Sequence, residues 1–130
     1  MEGNNNMNCI FCNYDKELII AENKYAFAIM DKFPVNEGHA LVIPKRHFQS
    51  FFEASEEEIK AIYSLLHEVK EMLDIQYEPQ GYNIGVNDGY HAGQTVMHLH
   101  VHVIPRYRGD VENPRGGIRN LKRALVEYDG

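Results

Sequence analysis

Residues 95–105 read TVMHLHVHVIP, a stretch in which His98, His100 and His102 alternate with Leu99 and Val101 and lead into Val103 and Ile104. Successive side chains on an extended strand point to opposite faces, so a period of two is a strand pattern. As a strand, the segment sets the three imidazoles in one row, roughly 7 Å between neighbours. Leu99, Val101 and Val103 fall on the other face. That apolar face needs cover, which a helix can supply. The imidazole face is left for chemistry, because this side chain titrates near neutral pH, binds metals, relays protons and attacks electrophiles.

The other elements follow from the same kind of reading. Apolar runs at 24–31 (KYAFAIMD), 39–44 (HALVIP) and 81–87 (GYNIGVN) read as further strands, with Pro34, Asn36 and Gly38 marking a turn after the first. A long helix starts behind Ser55, where Ser55 and Glu58 form an S-x-x-E capping box. Ile59, Ile62, Tyr63, Leu66, Val69 and Leu73 then recur at three- and four-residue steps as its core stripe, and Pro79 and Gly81 punctuate its exit. RYRGDVENPRGG (106–117) reads as loop and IRNLKRALVEY (118–128) as a last helix. The expected fold is α+β: an antiparallel sheet of about five strands, one long helix and a C-terminal helix.

At 130 residues there is enough chain for one core. Residues 9–130 are expected to form a single domain behind a flexible tail, 1–8. No apolar run approaches the roughly 20 residues that span a bilayer, and the start MEGNNNMN is not a secretory signal. A cytoplasmic location and no membrane partner are therefore expected. A net charge of -6 argues against stable nucleic-acid binding. Five arginines nevertheless fall late, at Arg106, Arg108, Arg115, Arg119 and Arg123, either as solvated surface or as a basic rim for an anionic substrate. Just before the histidine strand, NDGYHAGQT (87–95) offers Asn87, Gly89, Gly93, Gln94 and Thr95. Short polar groups and exposed amides at a turn suit an oxyanion such as phosphate, although a plain hairpin turn has the same composition.

The ordered set CIFC (9–12), GHALVIPKRH (38–47) and NDGYHAGQTVMHLHVHVIPR (87–106) resembles the histidine triad (HIT) family, with HLHVHVI matching its signature. AGQT and HVHV resemble the branch that cleaves dinucleoside polyphosphates; the CIFC opening is more similar to bacterial nucleotide hydrolases and phosphoramidases. The resemblance implies hydrolysis or transfer at the α-phosphate of a nucleotide conjugate, releasing AMP or GMP. His100 would be the nucleophile, forming a covalent nucleotidyl-histidine, with a backbone carbonyl or neighbour holding its other nitrogen. His102 would donate at the phosphate and leaving group. Gly93, Gln94 and Thr95 would bind nonbridging oxygens, Asn87 a phosphate, Asp31 the ribose, and Ile10, Phe11 and Ile29 the base. His39 fits a recurrent family position, with a structural role expected. The resemblance further implies a structural zinc on Cys9, Cys12, His47 and His98, no organic cofactor, magnesium accompanying a polyphosphate substrate, and a homodimer. Two other classes stay open: a metal-dependent hydrolase using the histidine row as zinc ligands, and a nucleotide-binding module without turnover.

Overall fold

The computed structural model describes residues 7–122. Its strands are β1 (Ile19–Glu22), β2 (Ala26–Met30), β3 (Ala40–Pro44), β4 (Gly81–Gly85) and β5 (Val101–Arg106), and its one α-helix among the described residues is α1 (Glu56–Tyr77). The strands form a single sheet in the order β1-β2-β3-β5-β4, every neighbouring pair antiparallel. β1 completes the expected five strands at a segment that no alternation marks strongly.

The hairpin β2–β3 pairs Ala26 with Pro44 and Met30 with Ala40. Its loop turns at Gly38, where φ is +86° and a Cβ would sit 2.9 Å from the Tyr77 ring and 3.1 Å from Pro105. Only glycine satisfies both the left-handed backbone and the close approach.

Helix α1 begins as the capping box dictates: the Ser55 hydroxyl accepts from the Glu58 amide, and the Glu58 carboxylate accepts from the Ser55 amide. It stops at Tyr77, with Glu78 in the left-handed region at φ 51°. Pro79 disfavours the helical conformation for the residue before it, which accounts for the stop. The buried stripe is Ile62, Leu65, Val69 and Leu73. Ile59 and Leu66 sit at its margin and Tyr63 is exposed, so the stripe is rotated from the expected one and centred on Leu65.

The sheet is covered on both faces. Toward α1, Ala26, Ala28, Ala40, Val42, Leu99, Val101 and Val103 pack with the helix stripe. On the other face, Phe27, Ile29, Leu41 and Ile43 pack with Cys9 and Phe11 from the N-terminal arm. β3 is therefore buried along its whole length.

The strand expected over 95–105 is regular only from Val101. Residues 95–100 leave the ladder: the Leu99 amide bonds the Phe48 carbonyl at 2.8 Å while its side chain enters the core. Of the helix expected over 118–128, the described part is a short 3-10 turn, Gly117–Arg119, followed by turn; residues 123–128 lie outside the described residues.

Candidate active site

Because side chains alternate from His100 into β5, Val101 and Val103 face the helix while His100 and His102 face the N-terminal arm. Their ring centroids lie 5.2 Å apart, and Phe11 covers His100 at 5.1 Å. His100 Nδ1 is 2.8 Å from the carbonyl oxygen of His98. A carbonyl only accepts, so Nδ1 carries the proton and Nε2 keeps its lone pair. Both rings line a cleft of about 740 Å³, a volume within the usual range for small-molecule sites.

His102 is set the opposite way. The Val35 amide donates to His39 Nδ1 at 3.0 Å, which puts the proton of neutral His39 on Nε2. That Nε2 lies 2.9 Å from His102 Nδ1 and 3.3 Å from an Asp31 carboxylate oxygen. His102 Nδ1 therefore accepts, and its proton sits on Nε2. Among the described residues, His102 Nε2 is the one buried side-chain nitrogen or oxygen without a protein partner. A buried donor left unpaired is costly and marks a place for a ligand atom. Burial holds the His102 pKa down to about 4, with His100 and His39 adding and Asp31 opposing, so the ring is neutral at pH 7. Burial also lowers His39, against the pull of Asp31.

Ile10, Phe11, Ile29, Asp31, Asn87, Gly93 and Thr95 line the cleft. Gln94 does not. It is 2% exposed, its side-chain oxygen accepts from the Gly89 amide, and its side-chain nitrogen donates to the carbonyls of Gln49 and Val96. The amides of Gly93 and Gln94 are also spent inside the loop, on Tyr90 and Gly89 carbonyls. Gln94 thus clamps the loop rather than touching a phosphate, and Gly93 serves by its backbone, φ +98°. Asn87 and Thr95 remain as donors at this end of the cleft. Lys32, Tyr14 and Leu41 line it too, with no pattern in the sequence to mark them. Of the late arginines, Arg106 and Arg108 border a separate hollow beside β4, where Arg106 makes a two-pronged bond to Asp110. None of Arg106, Arg108, Arg115 and Arg119 lines the triad cleft, so there is no arginine rim there among the described residues.

Behind the cleft, Cys9, Cys12, His47 and His98 bring one ligand atom each to within 4.8 Å of one another. Individual separations are 3.4 Å (Cys9 Sγ to His98 Nδ1), 3.2 Å (Cys12 Sγ to His47 Nδ1), 3.6 Å (Cys12 Sγ to His98 Nδ1) and 3.1 Å between the two Nδ1 atoms. Tetrahedral zinc, with bonds of about 2.0–2.3 Å, spaces its ligands roughly 3.3–3.8 Å apart; two of these separations fall in that range and two just short of it, so a small outward adjustment fits the residues to that ion. His98 Nε2 donates to the Pro44 carbonyl at 2.8 Å, leaving a bare Nδ1 aimed into the cluster. Burial holds the His98 pKa down to about 4, as a neutral ligand requires. Arg46, paired two-pronged with Glu58 at the start of α1 and stacked 4.2 Å from the Phe48 ring, anchors the segment that carries His47.

Asp31, His39 and His102 form a second group with metal-ligand spacing. His39 presents an N–H there rather than a lone pair, so this group is a hydrogen-bond chain.

An inner strand that carries His102, with His100 and His98 at alternate positions just before it, lies over an open cleft and is backed by a thiol–imidazole cluster, which defines a histidine-triad class of α+β domain. The chain belongs to the HIT domain family, whose model matches residues 14–109. It is 43% identical over 106 residues to an uncharacterized HIT-like protein of Mycoplasma pneumoniae, covering 78% of this chain and 74% of that one. It is 38% identical over 104 residues to the adenosine 5'-monophosphoramidase of Schizosaccharomyces pombe, covering 77% and 75%. Among solved structures, a zinc-bound histidine triad family protein from Mycobacterium smegmatis superposes with a TM-score of 0.73 at 33% identity, covering 83% of this chain and 80% of that one.

Proposed function

We propose that the chain is a nucleotide hydrolase or transferase acting at the α-phosphate of a dinucleoside polyphosphate or nucleoside phosphoramidate. The carrying observation is the fixed tautomer of His100: its Nδ1–H is held by the His98 carbonyl, leaving Nε2 as a lone pair on the wall of the cleft. Relatedness to an adenosine 5'-monophosphoramidase supports the substrate class.

In the proposed first step, the His100 Nε2 lone pair bonds to phosphorus and the bond from phosphorus to the leaving group breaks. From a dinucleoside polyphosphate, a nucleoside polyphosphate departs with the electron pair as its anion; from a phosphoramidate, the nitrogen takes a proton from solvent and departs as the neutral amine. His102 Nε2–H, without a protein partner, donates a hydrogen bond to an oxygen that gains charge. The intermediate is a nucleotidyl imidazolium that keeps its Nδ1–H on the His98 carbonyl. Water then attacks phosphorus, its proton passes to solvent, the P–N bond breaks and the lone pair returns to Nε2, releasing AMP or GMP. Asp31 is assigned to the ribose, Ile10, Phe11 and Ile29 to the base, and Asn87 and Thr95 to the phosphate end, with Gly93 shaping the turn that presents them.

Cys9, Cys12, His47 and His98 would hold a structural zinc, which when bound ties the N-terminal arm to the catalytic strand. The zinc-bound relative supports this assignment. A catalytic zinc on the histidine row is disfavoured: His98 and His100 turn their lone pairs to different places, one into the thiol cluster and one into the cleft.

The test is trapping. Acid quenching during turnover of a labelled substrate should leave the nucleotide on a peptide containing His100. In His100→Ala, kcat should fall by at least about a thousandfold while nucleotide binding persists. Wild-type turnover by that variant ends the proposal, and AMP binding with no turnover by the wild type assigns the chain to the binding modules instead.

A further inference from the structure

The carbonyl that orients His100 belongs to a residue whose side chain sits in the thiol–imidazole cluster. Residues 98–100 lie before β5, outside the sheet ladder, so inter-strand bonds do not position that carbonyl. Three things do. The Leu99 amide bonds the Phe48 carbonyl at 2.8 Å. The Leu99 side chain is fully buried in the helix-side core. The His98 ring, also fully buried, is pinned between the Pro44 carbonyl and the cluster. Phe48, which holds Leu99, directly follows the ligand His47. Two of the four ligands therefore flank the short contact between segments 47–48 and 98–99, and the other two arrive on the arm that places Phe11 over His100.

We infer that His98 is a positioning residue whose metal-bound ring sets the tautomer of the nucleophile His100 through its own backbone carbonyl. Metal occupancy at Cys9, Cys12, His47 and His98 is thereby coupled to catalytic competence without the ion approaching the substrate. With the ligands joined, the His98 carbonyl stays 2.8 Å from Nδ1 and the lone pair stays on Nε2. Without the ion, protonated thiols and imidazoles replace the metal bonds by weak S–H···N and N–H···N contacts at these 3.1–3.6 Å separations, and the more loosely held His98 ring lets its carbonyl shift. His100 then exchanges between tautomers, one of which points a proton at the phosphate. The His39–His102 chain rests on Val35 and is insulated from this change.

This inference rests on His100 as nucleophile, and its test separates the two ideas. Nuclear magnetic resonance of the full chain with isotope-labelled histidine, at a pH where the rings are neutral, reports each ring tautomer directly. Zinc-loaded protein should show His100 as a single Nδ1–H tautomer; zinc-stripped protein should show a mixture, reversed by adding zinc back, with His102 unmoved. In parallel, kcat should drop on the order of tenfold on stripping with KM unchanged, the scale of one lost hydrogen bond. If stripping melts the fold, zinc-loaded His98→Asn, which keeps three ligands, gives the same comparison. A single unchanged His100 tautomer in stripped protein, or in that variant, overturns the inference, as does a chain that binds no zinc. If the tautomers respond but His100→Ala still turns over, the positioning stands and the nucleophile assignment falls.

Discussion

His102 shows how one side chain links burial, charge and function. Its pKa is pushed down from 6.5 to about 4 mainly by burial, so the folded ring stays neutral where the unfolded one takes up a proton. The unfolded state then binds more protons between those two values, and stability falls as the pH drops from about 6.5 to 4, by up to on the order of 3 kcal/mol. His98, also held near 4, adds a like slope over the same window, so in urea unfolding His102→Asn should remove about half of the total; an equal slope in the variant would assign it to other groups. Gln94 makes a different prediction. Three hydrogen bonds from its side chain hold the 87–96 loop, so Gln94→Ala should cost about 2–4 kcal/mol. It should also raise KM, because Asn87 and Thr95 lose their placement; a variant with native stability and native KM would remove the clamp.

At the level of elements, helix α1 is what leaves the imidazole face free. It covers Val101 and Val103 so that the opposite face of β5 can stay open. Leu65 is fully buried at the centre of that contact, and Leu65→Ala should cost about 2–5 kcal/mol in calorimetry or urea unfolding. Tyr63, part of the stripe expected from spacing but 63% exposed, should tolerate alanine with little loss. The helix and its start were legible because the capping box and the 3.6-residue period are local. The rotation of the stripe was not, since Tyr63 and Leu65 are both apolar enough to face inward and only the packed sheet chooses. The shortened β5 has the same origin: its alternation runs back to Thr95, but the bond of Leu99 to Phe48 and the burial of the His98 ring take residues 95–100 out of the ladder.

For the molecule as a whole, the N-terminal arm is the piece that joins the thiol–imidazole cluster to the cleft. It brings Cys9 and Cys12 to the cluster and Phe11 to the cleft within four residues. Metal analysis of purified protein should find about one zinc per chain, and its removal should lower the melting temperature by about 10 °C, since a tight ion contributes to stability in proportion to its affinity. Cys12→Ser should lose most of that increment. Equal melting of loaded and stripped protein would take the ion out of the fold's stability.

The periodicities of the chain were enough to determine an antiparallel α+β sheet, a long capped helix, and a row of histidines on the face away from it, because each is a local pattern read off consecutive side chains. Resemblance supplied the four residues of the thiol–imidazole cluster and most of those that line the cleft. What each ring nitrogen does was settled only by the folded chain. His98 Nε2 is assigned by a carbonyl 54 residues away, and His102 Nδ1 by an imidazole 63 residues away. Spacing along a strand states which way a side chain points. The proton on an imidazole depends on what lies opposite it, and that partner is brought there by tertiary contacts alone.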